Sequence, residues 1–172
     1  MKRGYVQVYT GNGKGKTTAA LGLALRAAGH GLNTYVGQFM KGQPYGELGA
    51  LSSHPHITIE QYGEPQCTTP DDVTPEQVAQ AQHGLTKARA AMLSGHYDII
   101  VLDEINVTVW FRLLTAKEVV DFLEARPPHI ELILTGRNAP AVLIDRADLV
   151  TEMKPIKHYY DLGITARPGI EH

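Results

Sequence analysis

Apolar and polar positions divide the chain into two kinds of segment. Short, nearly continuous apolar runs predict buried β-strands at residues 5–10, 34–39, 57–62, 97–102 and 130–134. Apolar residues recurring every three or four positions predict helices at residues 16–28, 74–95 and 115–125, followed by a short helix at 140–146 and a last apolar run near residues 149 and 150. Because strands and helices alternate, we expect a mostly parallel sheet with helices on both faces.

The ends of the helices carry independent signals. Thr74 and Gln77 have the spacing of a capping box, and so do Thr115 and Glu118. Gly29 follows the first predicted helix as a stop signal. These residues strengthen the division into elements that the apolar pattern suggests.

The turn after the first strand reads GNGKGKTT and has the composition of a phosphate-binding loop. Its glycines let the backbone curve so that several amide N–H groups point at one polyphosphate, and the following helix adds its dipole. Lys16 supplies an ammonium, and the Thr17 hydroxyl is of the type that ligates Mg²⁺.

The strict motif has a glycine where this chain has Thr10, so the loop is effectively shorter. The predicted nucleotide-binding residues are Gly11, Asn12, Gly13, Lys14, Gly15, Lys16, Thr17 and Thr18. The alternative is a Gly-rich turn that binds no ligand, which is disfavoured because strand, loop, Lys-Thr pair and helix occur together.

A second chemical feature is the run YDIIVLDEI, in which four apolar residues precede two acids. Asp103 at the carboxyl end of a strand matches the Walker B pattern, which places an acid opposite the phosphate loop to orient Mg²⁺ or its waters. Glu104 is expected either to ligate the metal ion or to polarise an attacking water. The alternative is that the two acids only cap the next helix.

Composition narrows the function classes. The chain has 172 residues, a formal net charge of −2 and one cysteine, Cys67. We therefore expect a single soluble domain over residues 1–172, without a disulfide, in the cytoplasm. The charge balance argues against nucleic-acid binding, and no apolar stretch predicts a membrane span.

Several segments together resemble the ATP:corrinoid adenosyltransferases of the cobinamide and cobyrinic acid type. They are GNGKGKTTAALGLALRAAGHG, QFMKG with a nearby Gly46-Glu47, YDIIVLDEI, ELILTGR, ADLVTEM and KHYYDLGITARPGIE. The likeness extends over nearly the whole chain in the same order. It is more specific than the phosphate loop alone, because a generic ATPase has no counterpart of the 135–137 and 163–171 segments.

The resemblance implies a three-layer, RecA-like P-loop fold that forms a homodimer and works with a cobalt-reducing flavoprotein. It also implies transfer of the 5′-deoxyadenosyl group of ATP to the Co(I) of a corrinoid, with release of triphosphate. Co(I) is itself the nucleophile, so the protein needs only to position the substrates and stabilise the leaving group. In this assignment Lys16 and Glu104 are the catalytic residues, Thr17, Glu104 and Asp103 serve Mg²⁺, and Arg137 contacts phosphate or substrate.

One segment departs from the family pattern. Well-known members carry a Phe and a Trp in the loop after the third strand, whereas residues 63–74 contain neither. We expect this loop to act as a mobile lid over the corrinoid, with Tyr62 or Cys67 near the lower face of the cobalt. Two other function classes stay open: a P-loop ATPase or small-molecule kinase, which would release ADP, and a non-catalytic, nucleotide-dependent corrinoid-binding protein.

Overall fold

A computed structural model describes residues 2–64 and 69–171. Its centre is one six-stranded sheet in the order β3-β2-β4-β5-β1-β6, and every pair of neighbouring strands is parallel. The strands are β1 (Val6–Thr10), β2 (Thr34–Phe39), β3 (Ile57–Tyr62), β4 (Ile99–Asp103), β5 (Glu131–Thr135) and β6 (Leu149–Glu152). The predicted parallel sheet is confirmed.

Helices cover both faces of the sheet. They are α1 (Lys16–Ala28), α2 (Gly46–Leu51), α3 (Pro75–Leu93), α4 (Ile105–Trp110), α5 (Ala116–Glu124) and α6 (Ala141–Ile144), and a 3₁₀ turn spans Tyr159–Leu162. The buried side chains of α1 and α2 pack on one face of the sheet, and those of α3 and α5 belong to the core on the other face. The predicted three-layer α/β architecture is therefore confirmed.

The structure confirms both predicted capping boxes. Thr74 and Thr115 each accept a hydrogen bond from the backbone three residues later, and Gln77 and Glu118 reach back to complete the two capping boxes. By contrast, the sequence did not predict α2 and α4, which have six residues each. The α4 sequence INVTVW is rich in β-branched residues, so its helix depends on tertiary packing more than on intrinsic propensity.

The topology brings the chemical segments to one edge of the sheet. Strand β5 lies between β1, which leads into the phosphate loop, and β4, which ends at Asp103. Since parallel strands end at the same edge, the loop and the acids meet across the end of β5, at Thr135. In residues 2–64 and 69–171, no helix combines the length and the apolar character needed to cross a membrane.

Candidate active site

The phosphate loop is fixed by its backbone. Gly11 and Gly15 have φ angles of 93° and 115°, in the left-handed region that favours glycine. The amide of Gly13 donates to the carbonyl of Met153 at 2.7 Å, and a Cβ on Gly13 would lie 2.7 Å from the same oxygen. Glycine is thus required where the loop packs against the chain that follows β6.

The Lys16 side chain lies inside this loop. Only 7% of the residue is exposed, and its Nζ donates to the carbonyl oxygens of Gly11 and Gly13, both at 2.7 Å. Burial lowers the pKa of Lys16, an effect that Glu104 and Asp103 partly oppose. The loop therefore holds the ammonium where a phosphate group would meet it.

Asp103 is the centre of a buried hydrogen-bond network. Its Oδ1 accepts from the hydroxyls of Thr17 at 2.9 Å and Thr135 at 2.6 Å. Its Oδ2 accepts from Lys41 Nζ at 2.9 Å and Gln38 Nε2 at 3.3 Å. The network joins the ends of β2, β4 and β5 to the first turn of α1, so it ties the phosphate loop to the sheet.

Glu104, the next residue, has a different environment. Its φ angle of 62° is left-handed, and its amide donates to Thr135 Oγ1 at 2.9 Å. Within the described part of the chain, its carboxylate has no hydrogen bond or ion pair. Burial raises the pKa of Glu104, Asp103 raises it further, and the nearby Lys41, Lys16 and Arg137 oppose this shift.

Glu104 and Thr17 have the chemistry that Mg²⁺ prefers, since both offer oxygen ligands and both line the same cavity. Across residues 2–64 and 69–171, no group of three or more acidic, histidine or cysteine side chains is arranged to hold a metal ion.

The cavity has a volume of about 820 Å³ and lies above the loop. Its floor is formed by residues 13–18, and Lys41, Glu104 and Arg137 line it on the sheet side. Leu21 and Leu25 on α1 add apolar wall. Of the predicted site residues, the structure brings Lys14, Lys16, Thr17, Thr18, Glu104 and Arg137 to this cavity, together with Gly13 and Gly15. Gly11, Asn12 and Asp103 are not among its lining residues.

The C-terminal segment forms the opposite wall. Lys14 Nζ donates to Glu171 Oε1 at 2.6 Å, to the Ile170 carbonyl at 2.7 Å and to the Tyr159 hydroxyl at 3.0 Å. Arg167 also binds Glu171, at 3.3 Å, and its guanidinium lies 4.8 Å from the centre of the Tyr159 ring. The predicted phosphate-binding residue Lys14 is thus shared with the tail.

The sequence pattern predicts no role for Lys41, Gln38 or Thr135. Gln38 and Lys41 belong to the segment QFMKG and Thr135 to ELILTGR, and both segments contribute to the family resemblance. Their position in the chain could have indicated a role, because polar residues at the carboxyl ends of fully buried strands converge at one sheet edge. The tail contacts to Lys14 had no comparable signal.

Tyr62 is a packed residue in this structure and does not line the cavity. It is 9% exposed, its hydroxyl lies 2.6 Å from that of Tyr35 and donates to Glu60, and its ring packs on Phe39. Cys67 and the centre of the expected lid lie outside the described residues.

Comparison with known proteins gives a consistent result. A family model described as ATP:corrinoid adenosyltransferase BtuR/CobO/CobP matches residues 2–172. The corrinoid adenosyltransferase CobA of Salmonella typhimurium is 42% identical over 176 residues, covering 99% of this chain and 87% of that protein. A corrinoid adenosyltransferase of Escherichia coli K12 is 37% identical, with 99% and 87% coverage, and one of a Sinorhizobium species is 38% identical, with 99% and 81% coverage.

Proposed function

Because the chain belongs to the ATP:corrinoid adenosyltransferase family, we propose that it transfers the 5′-deoxyadenosyl group of ATP to the Co(I) of a reduced corrinoid and releases triphosphate. Cobalt attacks C5′ of the ribose, the bond from C5′ to the α-phosphate oxygen breaks, and its electron pair leaves with the triphosphate. The product is an adenosylated corrinoid, and the role is in cobalamin coenzyme biosynthesis or salvage.

The observation that carries the proposal is the buried Lys16 ammonium in a glycine loop beneath a cavity of about 820 Å³. Triphosphate leaves with a high negative charge, so transition-state stabilisation must come from donors fixed in advance. In this proposal Lys16 and the loop amides supply such donors, and Arg137, which lines the same cavity, adds positive charge. Since Co(I) is the nucleophile, no side chain needs to attack.

Mg²⁺ is part of the proposal, with Thr17 and Glu104 as its protein ligands. When bound, it would neutralise charge on the phosphate groups. Asp103 supports the site by accepting the Thr17 hydroxyl at 2.9 Å, which orients the Thr17 oxygen. We further propose a cytoplasmic homodimer that works with a flavoprotein that reduces the cobalt.

The decisive experiment is anaerobic incubation of the protein with MgATP and a chemically reduced corrinoid. We expect the absorption spectrum of an adenosylated corrinoid and equimolar triphosphate, without ADP. ADP or inorganic phosphate as the main product would favour the ATPase or kinase alternative, and binding without turnover would favour the non-catalytic one. Lys16→Ala serves as the inactive control and Lys117→Ala, on the exposed face of α5, as the active one.

A further inference from the structure

Asp103 has no oxygen left for a metal ion. A carboxylate offers about four acceptor positions, and here each oxygen already accepts two hydrogen bonds from the protein. The residue is 1% exposed, so water does not compete for these positions. The Asp103 carboxylate is thereby held in a fixed orientation toward Thr17.

Of the four side chains that donate hydrogen bonds to Asp103, the positively charged one is Lys41. Several contacts hold Lys41 in place. Its side chain is 12% exposed, its Nζ lies 3.5 Å from Glu47 Oε1, and the ammonium stands 5.0 Å from the centre of the Tyr45 ring. The preceding residue, Met40, has a φ angle of 57°, which turns the chain sharply after β2. A Cβ on Gly63 would lie 2.6 Å from the backbone nitrogen of Lys41, so the next loop packs directly on it.

Lys41 carries its charge in this position. Burial opposes ionisation, but Asp103, Glu47 and Glu104 together raise the pKa of Lys41 above its ordinary value. The Lys41 ammonium therefore lies between the carboxylates of Asp103, at 2.9 Å, and Glu47, at 3.5 Å, and neutralises part of their charge.

We propose that Lys41 is a positioning residue that acts as the built-in counter-ion of Asp103. It keeps Asp103 directed at Thr17 and excludes a divalent cation from the space between Asp103 and Glu47. The acidic ligand of Mg²⁺ is then Glu104 alone, whose carboxylate has no hydrogen bond within the described residues. The proposal deepens the Mg²⁺ assignment given above, and its test requires neither ATP nor corrinoid.

The test measures the binding of Mn²⁺ to the nucleotide-free protein by electron paramagnetic resonance. In Lys41→Met, Asp103 and Glu47 lose their cation and become available as oxygen ligands, so we expect Mn²⁺ to bind about tenfold more tightly than in the wild type. A residue that only stabilised the fold would not create a tighter metal site when removed. Should Lys41→Met fail to fold, Lys41→Gln removes the same charge while retaining a hydrogen-bond donor.

Two further variants define the outcome. Lys41→Met combined with Asp103→Asn should lose the added affinity, because the gained ligand is the Asp103 carboxylate. Lys117→Met removes the lysine of an exposed pair, 2.6 Å from Asp121, and should bind Mn²⁺ as the wild type does. Equal Mn²⁺ affinity in Lys41→Met and wild type would overturn the proposal, and so would a gain that persists in the double variant. Neither result depends on whether the protein adenosylates a corrinoid.

Discussion

The two walls of the cavity are held in different ways. The phosphate loop is joined to the sheet by backbone hydrogen bonds and by the buried Asp103 network, and its Lys16 is 7% exposed. The tail is joined to the loop mainly by charged side chains near the surface, with side-chain exposures of 39% for Lys14, 19% for Glu171 and 47% for Arg167. Buried contacts resist salt and solvent, whereas exposed ion pairs contribute little and are screened. We therefore expect the loop wall to be permanent and the tail wall to be displaceable.

The largest expected effect is a difference in ATP affinity between variants of the two loop lysines, Lys16 and Lys14. Lys16→Ala removes the ammonium enclosed by the loop carbonyls, and we expect ATP affinity to fall by about 100-fold or more, with turnover nearly abolished. Lys14→Ala removes a cation that the tail carboxylate already neutralises, so the loss should be roughly tenfold or less. Isothermal titration with ATP measures both, and circular dichroism checks the fold. Near-normal affinity in Lys16→Ala would contradict the assignment of the loop wall.

Adding a methyl group at Gly13 tests how rigidly the backbone of the phosphate loop is held. In Gly13→Ala the new Cβ would lie 2.7 Å from the Met153 carbonyl oxygen, so the loop must move away from the chain after β6. We expect ATP affinity to fall by about tenfold or more, since the loop amides lose their alignment. Gly49→Ala is the matched control, because nothing lies within 4 Å of its Cβ and alanine favours the helix α2. Equal affinities in the two variants would mean that the loop is not fixed by this contact.

The third prediction concerns the acid that faces the cavity. Glu104→Gln keeps the shape of the side chain but removes the charge, so we expect the Mg²⁺ concentration needed for half-maximal turnover to rise about tenfold. The wild type should release little phosphate from ATP without corrinoid, because Glu104 serves the metal ion and does not activate water. Rapid corrinoid-independent phosphate release, lost in Glu104→Gln, would instead favour an ATPase.

The same contrast explains what could be predicted from the sequence. The loop wall was predictable because its glycines, Lys16 and Thr17 are adjacent in the chain and their spacing reflects local backbone chemistry. Asp103 and Glu104 were predictable because a buried apolar run ends on them. The partner of Asp103, Lys41, is 62 positions away, and Glu171 is 157 positions from Lys14. Such pairings depend on strand order and tail path, which no local pattern encodes, so only the family resemblance pointed to these segments.

The smallest expected effect concerns the tail wall itself. Glu171→Gln removes the charge that Lys14 and Arg167 share, so hydrogen exchange in residues 158–171 should become roughly two- to fivefold faster, while exchange in the sheet stays unchanged. Added salt should produce the same change in the wild type and little further change in the variant.

Arg167 and Lys14 hold the pKa of Glu171 below its ordinary value, so the contact is fully present at neutral pH. By linkage, the contribution of this contact to holding the tail falls progressively as the pH drops from the usual glutamate range toward the lowered pKa of Glu171. Lys117→Ala breaks an exposed pair of similar length elsewhere and should leave exchange in the tail unaltered. If exchange in the tail of Glu171→Gln matches that of the wild type at low salt, the tail is held by its other contacts and the two walls are more alike than their exposure suggests.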